Sequence, residues 1–315
     1  MILTITINPS VDRLYSVKHL HVGTLNRVHL VKKMVGGKGI NAARVASELG
    51  SKAIATGFLA GQNGEYILNE AKNDKYISDF IQIAGETRNC YTIIQNDKLK
   101  TEINESNTQM NLSDLDRLLD KIRLIINSQK INVVSINGSF PNNLPVKFYS
   151  SIMEIIRAIN PSIKIILDTS GTALKDVLRG SKQPDYIKPN EIELAELLNQ
   201  KVTTNPKRLK EYLEDTLFNS LDNIIVSLGG DGAVTKHHNN YYYINFAKVP
   251  VINTEGSGDS LVGGLLYALD KNFDYPDIIK YAIAAGTANA METKTGFIKQ
   301  NNVMKVMKTV TFKKL

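Results

Sequence analysis

The sequence predicts an α/β fold in which a mostly parallel central sheet is covered by helices on both faces. Short, mostly apolar runs alternate along the chain with longer segments of helical period, as βαβ units require. The runs are also too apolar for strands that expose one face to water. The predicted strands are residues 2–7, 53–59, 133–136, 163–167, 186–187 and 224–228. The predicted helices are residues 40–49, 112–127, 145–159, 191–198 and 260–269.

Local sequence signals justify the ends of these elements and set two regions apart. The turn-forming residues 8–10 stop the first strand, and Gly50 follows the first helix, where a C-terminal glycine is common. Residues 14–20 with 28–35, and 90–95 with 100–105, alternate polar and apolar positions with no helix between partners. They predict antiparallel strands. We therefore expect one α/β domain over residues 1–315, with a small antiparallel β lid formed by segments 12–35 and 86–106.

The composition argues against several classes of function. The formal net charge is +7, but the lysines are scattered and form no block of five or six, so we expect no nucleic-acid partner. Apolar runs stay well short of the roughly 20 residues that cross a bilayer, so we expect no membrane association. The first residues do not resemble a signal peptide, and Cys90 is the only cysteine. A cytoplasmic location is the expectation.

The stretch NTEGSGDSLVGG, residues 253–264, places Asp259 among glycines where an apolar helix begins. Gly256 and Gly258 allow an anion to approach the backbone, and the first amides of a helix have no partner within the helix. This predicts a phosphate site. Two roles for Asp259 are compatible with the pattern. It is either a base, kept ionised by the positive helix end, that accepts a proton from an attacking hydroxyl, or a helix cap.

A second glycine turn, MVGGKGINAARVASELG at residues 34–50, also opens a helix. It is not a Walker A loop, because Gly39 follows Lys38 where Ser or Thr belongs. The segment GKGINA matches a weak dinucleotide pattern, but no acidic residue ends the next strand, which argues against a nicotinamide oxidoreductase. Lys38 and Asn41 either gather around a phosphorylated ligand or belong to a solvated structural turn.

Two further segments follow predicted strands at the edge where open α/β sheets bind ligands. They are SLGGDG at residues 227–232 and KPNEIE at residues 188–193. Asn190 and Glu193 lie three residues apart on one face of a helix start, where oxygen ligands can order Mg²⁺ through water. The competing interpretation is that Glu193 only complements the helix dipole.

These segments resemble, in matching order along the whole chain, the motifs of the ribokinase-like PfkB carbohydrate kinases. The segments TINPSVD around Asp12, GETRNC at residues 85–90 and NGSFP at residues 137–141 are similar to the phosphosugar branch of that family. The resemblance implies a ribokinase-like fold and ATP-dependent phosphorylation of a phosphosugar hydroxyl. The leading substrate is D-tagatose 6-phosphate, giving D-tagatose 1,6-bisphosphate. The alternative activities are those of a 1-phosphofructokinase, which acts on fructose 1-phosphate, and of a 6-phosphofructokinase. A more distant alternative is a non-catalytic sugar-phosphate sensor.

The resemblance also implies a role for each matching residue, with ATP and Mg²⁺ as cofactors and a homodimer through the lid. Asp259 would be the catalytic base, and Gly256, Ser257 and Gly258 would form the anion hole. The sugar phosphate would contact Asp12, Arg27, Gly37, Lys38, Gly39, Asn41, Arg88 and Ser139. ATP would contact Lys188, Asn190, Ser227, Gly229, Gly232 and Asn289, with Asn190 and Glu193 ordering Mg²⁺ through water. Glu255 departs from the family pattern, which usually has an apolar residue there.

Overall fold

A computed structural model describes residues 1–96, 99–106, 108–139, 145 and 147–315, in which strands and helices alternate as the sequence predicts. The strands are β1 (Ile2–Thr6), β2 (Ser10–Val17), β3 (His29–Gly36), β4 (Ala53–Ala60), β5 (Ile77–Ser78), β6 (Ile81–Ile83), β7 (Asn89–Gln95), β8 (Lys100–Asn104), β9 (Val133–Asn137), β10 (Lys164–Asp168), β11 (Tyr186–Ile187), β12 (Asn223–Ser227), β13 (Ala233–His237), β14 (Asn240–Asn245) and β15 (Thr311–Lys314). The helices are α1 (Lys38–Glu48), α2 (Gly61–Ala71), α3 (Leu112–Ser128), α4 (Phe148–Ile159), α5 (Gly171–Arg179), α6 (Glu191–Leu198), α7 (Pro206–Leu213), α8 (Ser257–Asp270), α9 (Tyr275–Ala290) and α10 (Gln300–Met307).

The main sheet has the strand order β15-β14-β13-β12-β11-β10-β9-β1-β4-β5, with β6 also pairing with β4. Pairing is parallel from β4 through β12, so the predicted mostly parallel sheet is confirmed. Strands β13, β14 and β15 extend it in antiparallel fashion. Sequence reasoning missed this edge, because β15 pairs with a strand that ends 66 residues earlier and carries no local signal of its partner.

Alternate residues of the parallel strands enter two separate apolar cores, one on each face of the sheet. Leu3 and Ile5 of β1 pack with apolar side chains of α3, α4 and α5. Ile2 of the same strand packs on the opposite face with those of α1, α8 and α9. Burial on both faces explains why the strand sequences are continuously apolar. The predicted covering of both faces by helices is confirmed.

A second sheet, called the small sheet below, has the order β3-β2-β7-β8. The hairpins β2–β3 and β7–β8 are antiparallel, as predicted. Strands β2 and β7 join the two hairpins and are parallel to each other. The intervening segment, which includes β4 and α2, returns the chain to the end of the small sheet where β2 begins. The predicted lid segments thus form one mixed sheet.

Three helix starts differ from the prediction. Helix α1 begins at Lys38 rather than at residue 40, so Lys38 belongs to its first turn. Helix α8 begins at Ser257 rather than at residue 260, so Gly258 and Asp259 belong to its first turn. Helix α4 begins at Phe148, whereas the prediction began at residue 145. Within the described ranges, no helix combines the length and the apolar character that crossing a membrane requires.

Candidate active site

Polar residues at the carboxyl ends of three neighbouring strands form the floor of the site. Thr6 of β1, Asn137 of β9 and Asp168 of β10 are aligned in register and almost completely buried. The N-terminus of α1 lies directly on them, because a Cβ at Gly39 would come within 2.4 Å of Oγ1 of Thr6. Lys38, the first residue of α1, is therefore carried onto the strand ends. Open α/β sheets bind their ligands at this edge.

Asp168 is a buried carboxylate that binds two lysines from distant parts of the chain. Its Oδ1 lies 3.3 Å from Nζ of Lys38 and 3.4 Å from Nζ of Lys188. Burial alone would raise the pKa of Asp168, but the two lysines outweigh it and hold that pKa below its usual value. Asp168 in turn raises the pKa of Lys38. Sequence reasoning missed Asp168, for which the only signal is a charged residue that ends an apolar strand.

Glu193 caps the start of α6 and also lies near Lys38. Its Oε2 accepts from the backbone amide of Asn190 (2.9 Å), and Oδ1 of Asn190 accepts from the amide of Glu193 (2.7 Å). This is a capping box at the start of α6. The other oxygen, Oε1, lies 3.7 Å from Nζ of Lys38. One carboxylate therefore fixes a helix start and presents charge to the site.

Asp259 lies in the first turn of α8 but does not cap it, since that helix has no side-chain cap hydrogen bond. Instead Oδ2 of Asp259 accepts from Nδ2 of Asn41 (2.8 Å). The pKa of Asp259 is raised, first by burial and further by the charge of Asp168, although Lys38, Lys188 and Asn41 oppose the rise. Burial therefore opposes the predicted effect of the positive helix end on this carboxyl group. A carboxylate with a raised pKa is a stronger base.

At the mouth of α8, where an anion site is predicted, one backbone amide is already bonded and two have no backbone acceptor among the described residues. Gly256 has a φ of 74°, and a Cβ there would come within 2.7 Å of the amide nitrogen of Gly296. The amide of Ser257 already donates to the carbonyl of Thr254 (3.2 Å). The amides of Gly258 and Asp259 have no backbone acceptor in the part of the chain that the structure describes. They are the free donors, and Lys188 lies beside them, 3.5 Å from where a Cβ of Gly258 would lie.

Asn289 has a different place from the one expected. Its side chain is completely buried in α9 and does not line the cleft in which a nucleotide was predicted. Its Nδ2 donates to the carbonyl of Glu255 (2.8 Å) and to Oγ of Ser257 (3.1 Å). Its Oδ1 accepts from Oγ of Ser260 (3.1 Å). Asn289 therefore holds the anion-binding turn in shape from behind.

The cleft predicted for ATP includes Ser257 and Gly258 of the α8 mouth in its lining and has a volume of about 390 Å³. It is lined by five of the six predicted residues, Lys188, Asn190, Ser227, Gly229 and Gly232. Its opposite wall is apolar and includes Phe246, Val249, Val251, Leu261 and Ile283, none of which carries a recognisable sequence motif. A glycine-rich edge near a lysine and an apolar wall suit a phosphate chain and a flat base, respectively.

Asp12 of β2 faces the site from the small sheet. Its Oδ1 accepts from Oγ of Ser10 (2.7 Å), and Gly36 leaves room for it, since a Cβ there would come within 2.2 Å of that oxygen. Burial raises the pKa of Asp12 to about 6, assisted by the negative charges of Glu255 and Asp259. Arg88 opposes this rise, so the guanidinium lies near Asp12. The buried Nε of Arg88 has no hydrogen-bond partner among the described residues.

Glu255, the residue that departs from the family pattern, pairs with the small sheet. Its Oε1 lies 2.7 Å from Nζ of Lys100 on β8, and the same lysine lies 2.6 Å from Oε1 of Glu102. A second contact joins Lys32 of β3 to the carbonyl of Thr293 (2.8 Å). The extra negative charge is therefore directed towards the small sheet and helps to hold that sheet over the site.

The GETRNC segment joins the small sheet to the rest of the molecule. Glu86 accepts from the amides of Gln62 (3.1 Å) and Asn63 (2.7 Å) at the start of α2. Thr87 exchanges hydrogen bonds with the backbone of Ala60, through its amide and its Oγ1 (both 2.9 Å). The motif is thus an anchor that brings Arg88 to the site.

Two predicted contacts, Arg27 and Ser139, are not joined to this centre. Arg27 is exposed in the connection between β2 and β3. Ser139 is exposed, and its Oγ accepts from Nδ2 of Asn8 (3.3 Å). The end of the NGSFP motif, Phe140 and Pro141, lies outside the described residues. By contrast, Gly37 is at the site, with a φ of 126° in the turn that leads to Lys38.

The acidic groups fit a metal that is bound mainly by water and phosphate. Groups of three or more His, Cys, Asp or Glu side chains that could hold a metal ion are absent from the part of the chain that the structure describes. Oδ2 of Asp168 is buried and has no hydrogen-bond partner among the same residues. Oδ1 of Asp168 and Oε1 of Glu193 lie 3.3 Å and 3.7 Å from Nζ of Lys38, so the two carboxylates lie close to each other. Mg²⁺ typically keeps several waters when it binds to proteins.

Comparison with known proteins gives consistent matches over nearly the whole chain. The model of the pfkB family of carbohydrate kinases matches residues 6–301. A tagatose-6-phosphate kinase of Staphylococcus epidermidis is 38% identical over 310 residues, covering 98% of each chain. A Staphylococcus aureus structure provisionally named a phosphofructokinase is 29% identical, with a TM-score of 0.80 over 100% of this chain and 99% of that chain. Phosphofructokinase-2 from Escherichia coli, 22% identical, has a TM-score of 0.85 over 98% of each chain and the same fold.

Asp12 should make the stability of the protein depend on pH. Its folded-state pKa of about 6 lies above the ordinary 3.8, so folding becomes less favourable as pH rises from 3.8 towards 6, and the penalty is complete above that. We expect Asp12→Asn to raise the free energy of unfolding by up to about 3 kcal/mol at pH 8 and by about half as much at pH 5. Urea unfolding at both pH values measures the difference.

The matched control is Asp116→Asn, because Asp116 is an exposed acid on α3. It should change the free energy of unfolding by less than about 0.5 kcal/mol at either pH. An equal gain for Asp12→Asn at pH 5 and pH 8 would show that Asp12 is not an unfavourably placed acid.

Proposed function

We propose that this chain, which belongs to the pfkB family of carbohydrate kinases, transfers the γ-phosphoryl group of ATP to a hydroxyl of D-tagatose 6-phosphate, giving D-tagatose 1,6-bisphosphate. One observation carries the proposal. The carboxylate of Asp259 lies at a helix mouth with free amides, next to Ser257 and Gly258 of the apolar cleft, and accepts a hydrogen bond from Asn41 at the start of α1. The relative that is 38% identical over 98% of this chain supports the choice of sugar.

Asp259 acts as the general base in the proposed reaction. The acceptor hydroxyl gives its proton to the Asp259 carboxylate while its oxygen forms a bond to the γ-phosphorus. The bond from that phosphorus to the β–γ bridging oxygen breaks, and ADP leaves. The raised pKa of Asp259 favours proton acceptance, and the hydrogen bond from Asn41 aims one carboxylate oxygen and leaves the other for the substrate.

Charge on the moving phosphoryl group is stabilised by donors that are already in place. The amides of Gly258 and Asp259 and the ammonium of Lys188 lie at the helix mouth. Lys38 is bound to Asp168, beside Asp259, so we assign it to the transferred group rather than to the sugar's existing phosphate. Such preorganised donors make the largest electrostatic contribution to phosphoryl transfer.

ATP would occupy the apolar cleft, with its base against the wall that includes Phe246 and Val251 and its phosphates towards Lys188. Mg²⁺ would be held through water by Asp168 and Glu193. When bound, it neutralises charge on the nucleotide phosphates. Asn190 contributes chiefly by holding Glu193 in the capping box.

The sugar would lie between the small sheet and α1, with the small sheet as its lid. Asp12 is suited to accept hydrogen bonds from sugar hydroxyls, and the buried, unpaired Nε of Arg88 is suited to the sugar's phosphate. Fructose 1-phosphate or fructose 6-phosphate is the second candidate substrate, supported by the structural relative named as a phosphofructokinase at 29% identity. The intact Asp259 and Lys38 argue against a non-catalytic sensor.

The proposed function is tested by ADP release from Mg-ATP with tagatose 6-phosphate, fructose 1-phosphate and fructose 6-phosphate. We expect the highest kcat/KM with tagatose 6-phosphate and no turnover when Mg²⁺ is chelated. A higher kcat/KM with either fructose phosphate would reassign the substrate. Binding without turnover on all three would favour the sensor.

Asp259→Asn should lower kcat by at least about 100-fold, because an amide cannot accept the hydroxyl proton. The KM for ATP should stay within about twofold, since the cleft is unchanged. The control Asp277→Asn alters an exposed acid in the first turn of the neighbouring α9 and should leave kcat unchanged. Near-normal turnover in Asp259→Asn would remove this residue from the mechanism.

Arg88→Ala should raise the KM for tagatose 6-phosphate by about tenfold or more and leave the KM for ATP nearly constant, because a charge-assisted bond to the sugar's phosphate is lost. It should also reduce the preference for tagatose 6-phosphate over unphosphorylated tagatose. Arg123→Ala, which removes an exposed guanidinium from α3, is the control. Equal KM increases for sugar and nucleotide would instead indicate a damaged lid.

We also propose that a second copy of this chain covers the small sheet. Large apolar side chains are exposed on both of its hairpins, among them Val31 (53%) and Ile103 (51%). Light scattering should give about twice the chain mass of 34.9 kDa, and Val31→Lys should lower it towards one chain. Leu124→Lys, which alters a more exposed apolar residue on α3 (64%), should have no effect. A monomeric wild-type protein would contradict the proposal.

A further inference from the structure

Arg44 is a buried cation near the site to which the proposed reaction gives no role. It lies one helical turn after Asn41 on α1, and its side chain is only 2% exposed. Its Nε donates to Oδ2 of Asp74 (2.7 Å), and that aspartate is 6% exposed. Removing two charges from water is costly unless their remaining hydrogen-bonding groups are satisfied. The other partners of Arg44 therefore indicate what the pair holds in place.

The first of these partners is the amide that contacts the base. Nη1 of Arg44 donates to Oδ1 of Asn41 (2.8 Å), while Nδ2 of Asn41 donates to Oδ2 of Asp259 (2.8 Å). An asparagine side chain has one accepting and one donating end. Because Arg44 occupies the accepting end, the donating end must face Asp259. A reversed amide would place its oxygen against the carboxylate.

The second set of partners is the turn that packs against both Asn41 and the mouth of α8. Nη1 of Arg44 also lies within hydrogen-bonding distance of the carbonyls of Thr295 (3.3 Å) and Gly296 (3.4 Å). A Cβ at Gly296 would come within 2.4 Å of the Asn41 side chain. One at Gly256 would come within 2.7 Å of Gly296. The guanidinium of Arg44 thus contacts both Asn41, which holds the base, and the turn at residues 295–296, which packs against the anion-binding turn.

We propose that Arg44, anchored by Asp74, is a positioning residue that fixes the orientation of the Asn41 amide and, through it, the Asp259 carboxylate. The proposal rests on the proposed function of Asp259 as the base. The other charged groups that face Asp259 are Lys38, Asp168, Lys188 and Asp12. Asp74 also binds Lys294 (3.1 Å), and Tyr76 lies near the pair. Apart from Asp74, which one variant alters, these groups remain unchanged in the variants below.

Loss of the Arg44 guanidinium should affect the base without affecting the nucleotide cleft. In Arg44→Met we expect kcat to fall about 10- to 100-fold while the KM for ATP stays within about twofold. The acid limb of the pH profile of kcat should move up by about half to one pH unit, because a carboxylate that loses a hydrogen bond holds its proton more tightly. Asn41→Ala should shift that limb in the same direction.

A double variant separates positioning from a general structural role. If Arg44 acts through Asn41, the Arg44→Met/Asn41→Ala protein should be no slower than Asn41→Ala alone. Multiplied losses with an unmoved acid limb would overturn the proposal. Lys75→Met is the matched control. Lys75 is adjacent to Asp74 in the chain and pairs with Glu48 of α1, the helix that carries Arg44 (2.7 Å), but its side chain is 63% exposed. It should leave kcat and the pH profile unchanged.

Two further measurements keep the proposal testable if Arg44→Met does not fold or if the assumed reaction is wrong. Asp74→Asn retains the guanidinium but loosens its anchor, and it should give a smaller shift in the same direction. Carbon-13 NMR of labelled aspartates, with the Asp259 signal identified by its loss in Asp259→Asn, reports the carboxyl pKa without any substrate. A raised value in Asp74→Asn or Arg44→Met supports the proposal even if no phosphosugar is turned over. An unchanged value overturns it even if the enzyme is active.

Discussion

The site depends on one buried carboxylate, Asp168, that binds two lysines. Lys38 and Lys188 are 150 residues apart in the chain, and both reach the same oxygen at the end of β10. A buried carboxylate without partners would take up a proton, and two adjacent lysines without it would repel each other. The carboxylate thus holds the two lysines side by side at the edge where we propose that an anion binds. The parallel sheet makes this arrangement possible, because neighbouring strands end at the same edge.

The carboxylates around this centre have opposite electrostatic environments. Asp168 has a lowered pKa, because it touches two cations, whereas Asp259 and Asp12 have raised pKa values, because burial and neighbouring acids outweigh the positive charges near them. Asp168 is therefore suited to hold charge, and Asp259 is suited to accept a proton. Placing several acids together costs folding free energy in the absence of substrate, and such a cost is typical of active sites.

The small sheet reaches the same centre through charged contacts. Lys100 reaches Glu255, next to the anion-binding turn, and Lys32 reaches the carbonyl of Thr293. Contacts of this kind are partly exposed and individually weak, so they can break and re-form. Glu255, which departs from the family pattern, thereby acquires a structural role on the side of the site where a sugar would enter.

The sequence by itself determined the alternation of strands and helices and the glycine turns that open α1 and α8. It also marked Lys38 and Asp259 as candidate site residues. These features follow from local conformational preference and from burial on one or both sides of an element, which a linear pattern records. The tertiary structure alone decided that Asp168 joins Lys38 to Lys188, that Asn289 supports the anion-binding turn, and that β13 to β15 complete the sheet. It also decided the direction in which the pKa of Asp259 moves. These outcomes depend on distances and burial between residues far apart in the chain, for which no local pattern exists.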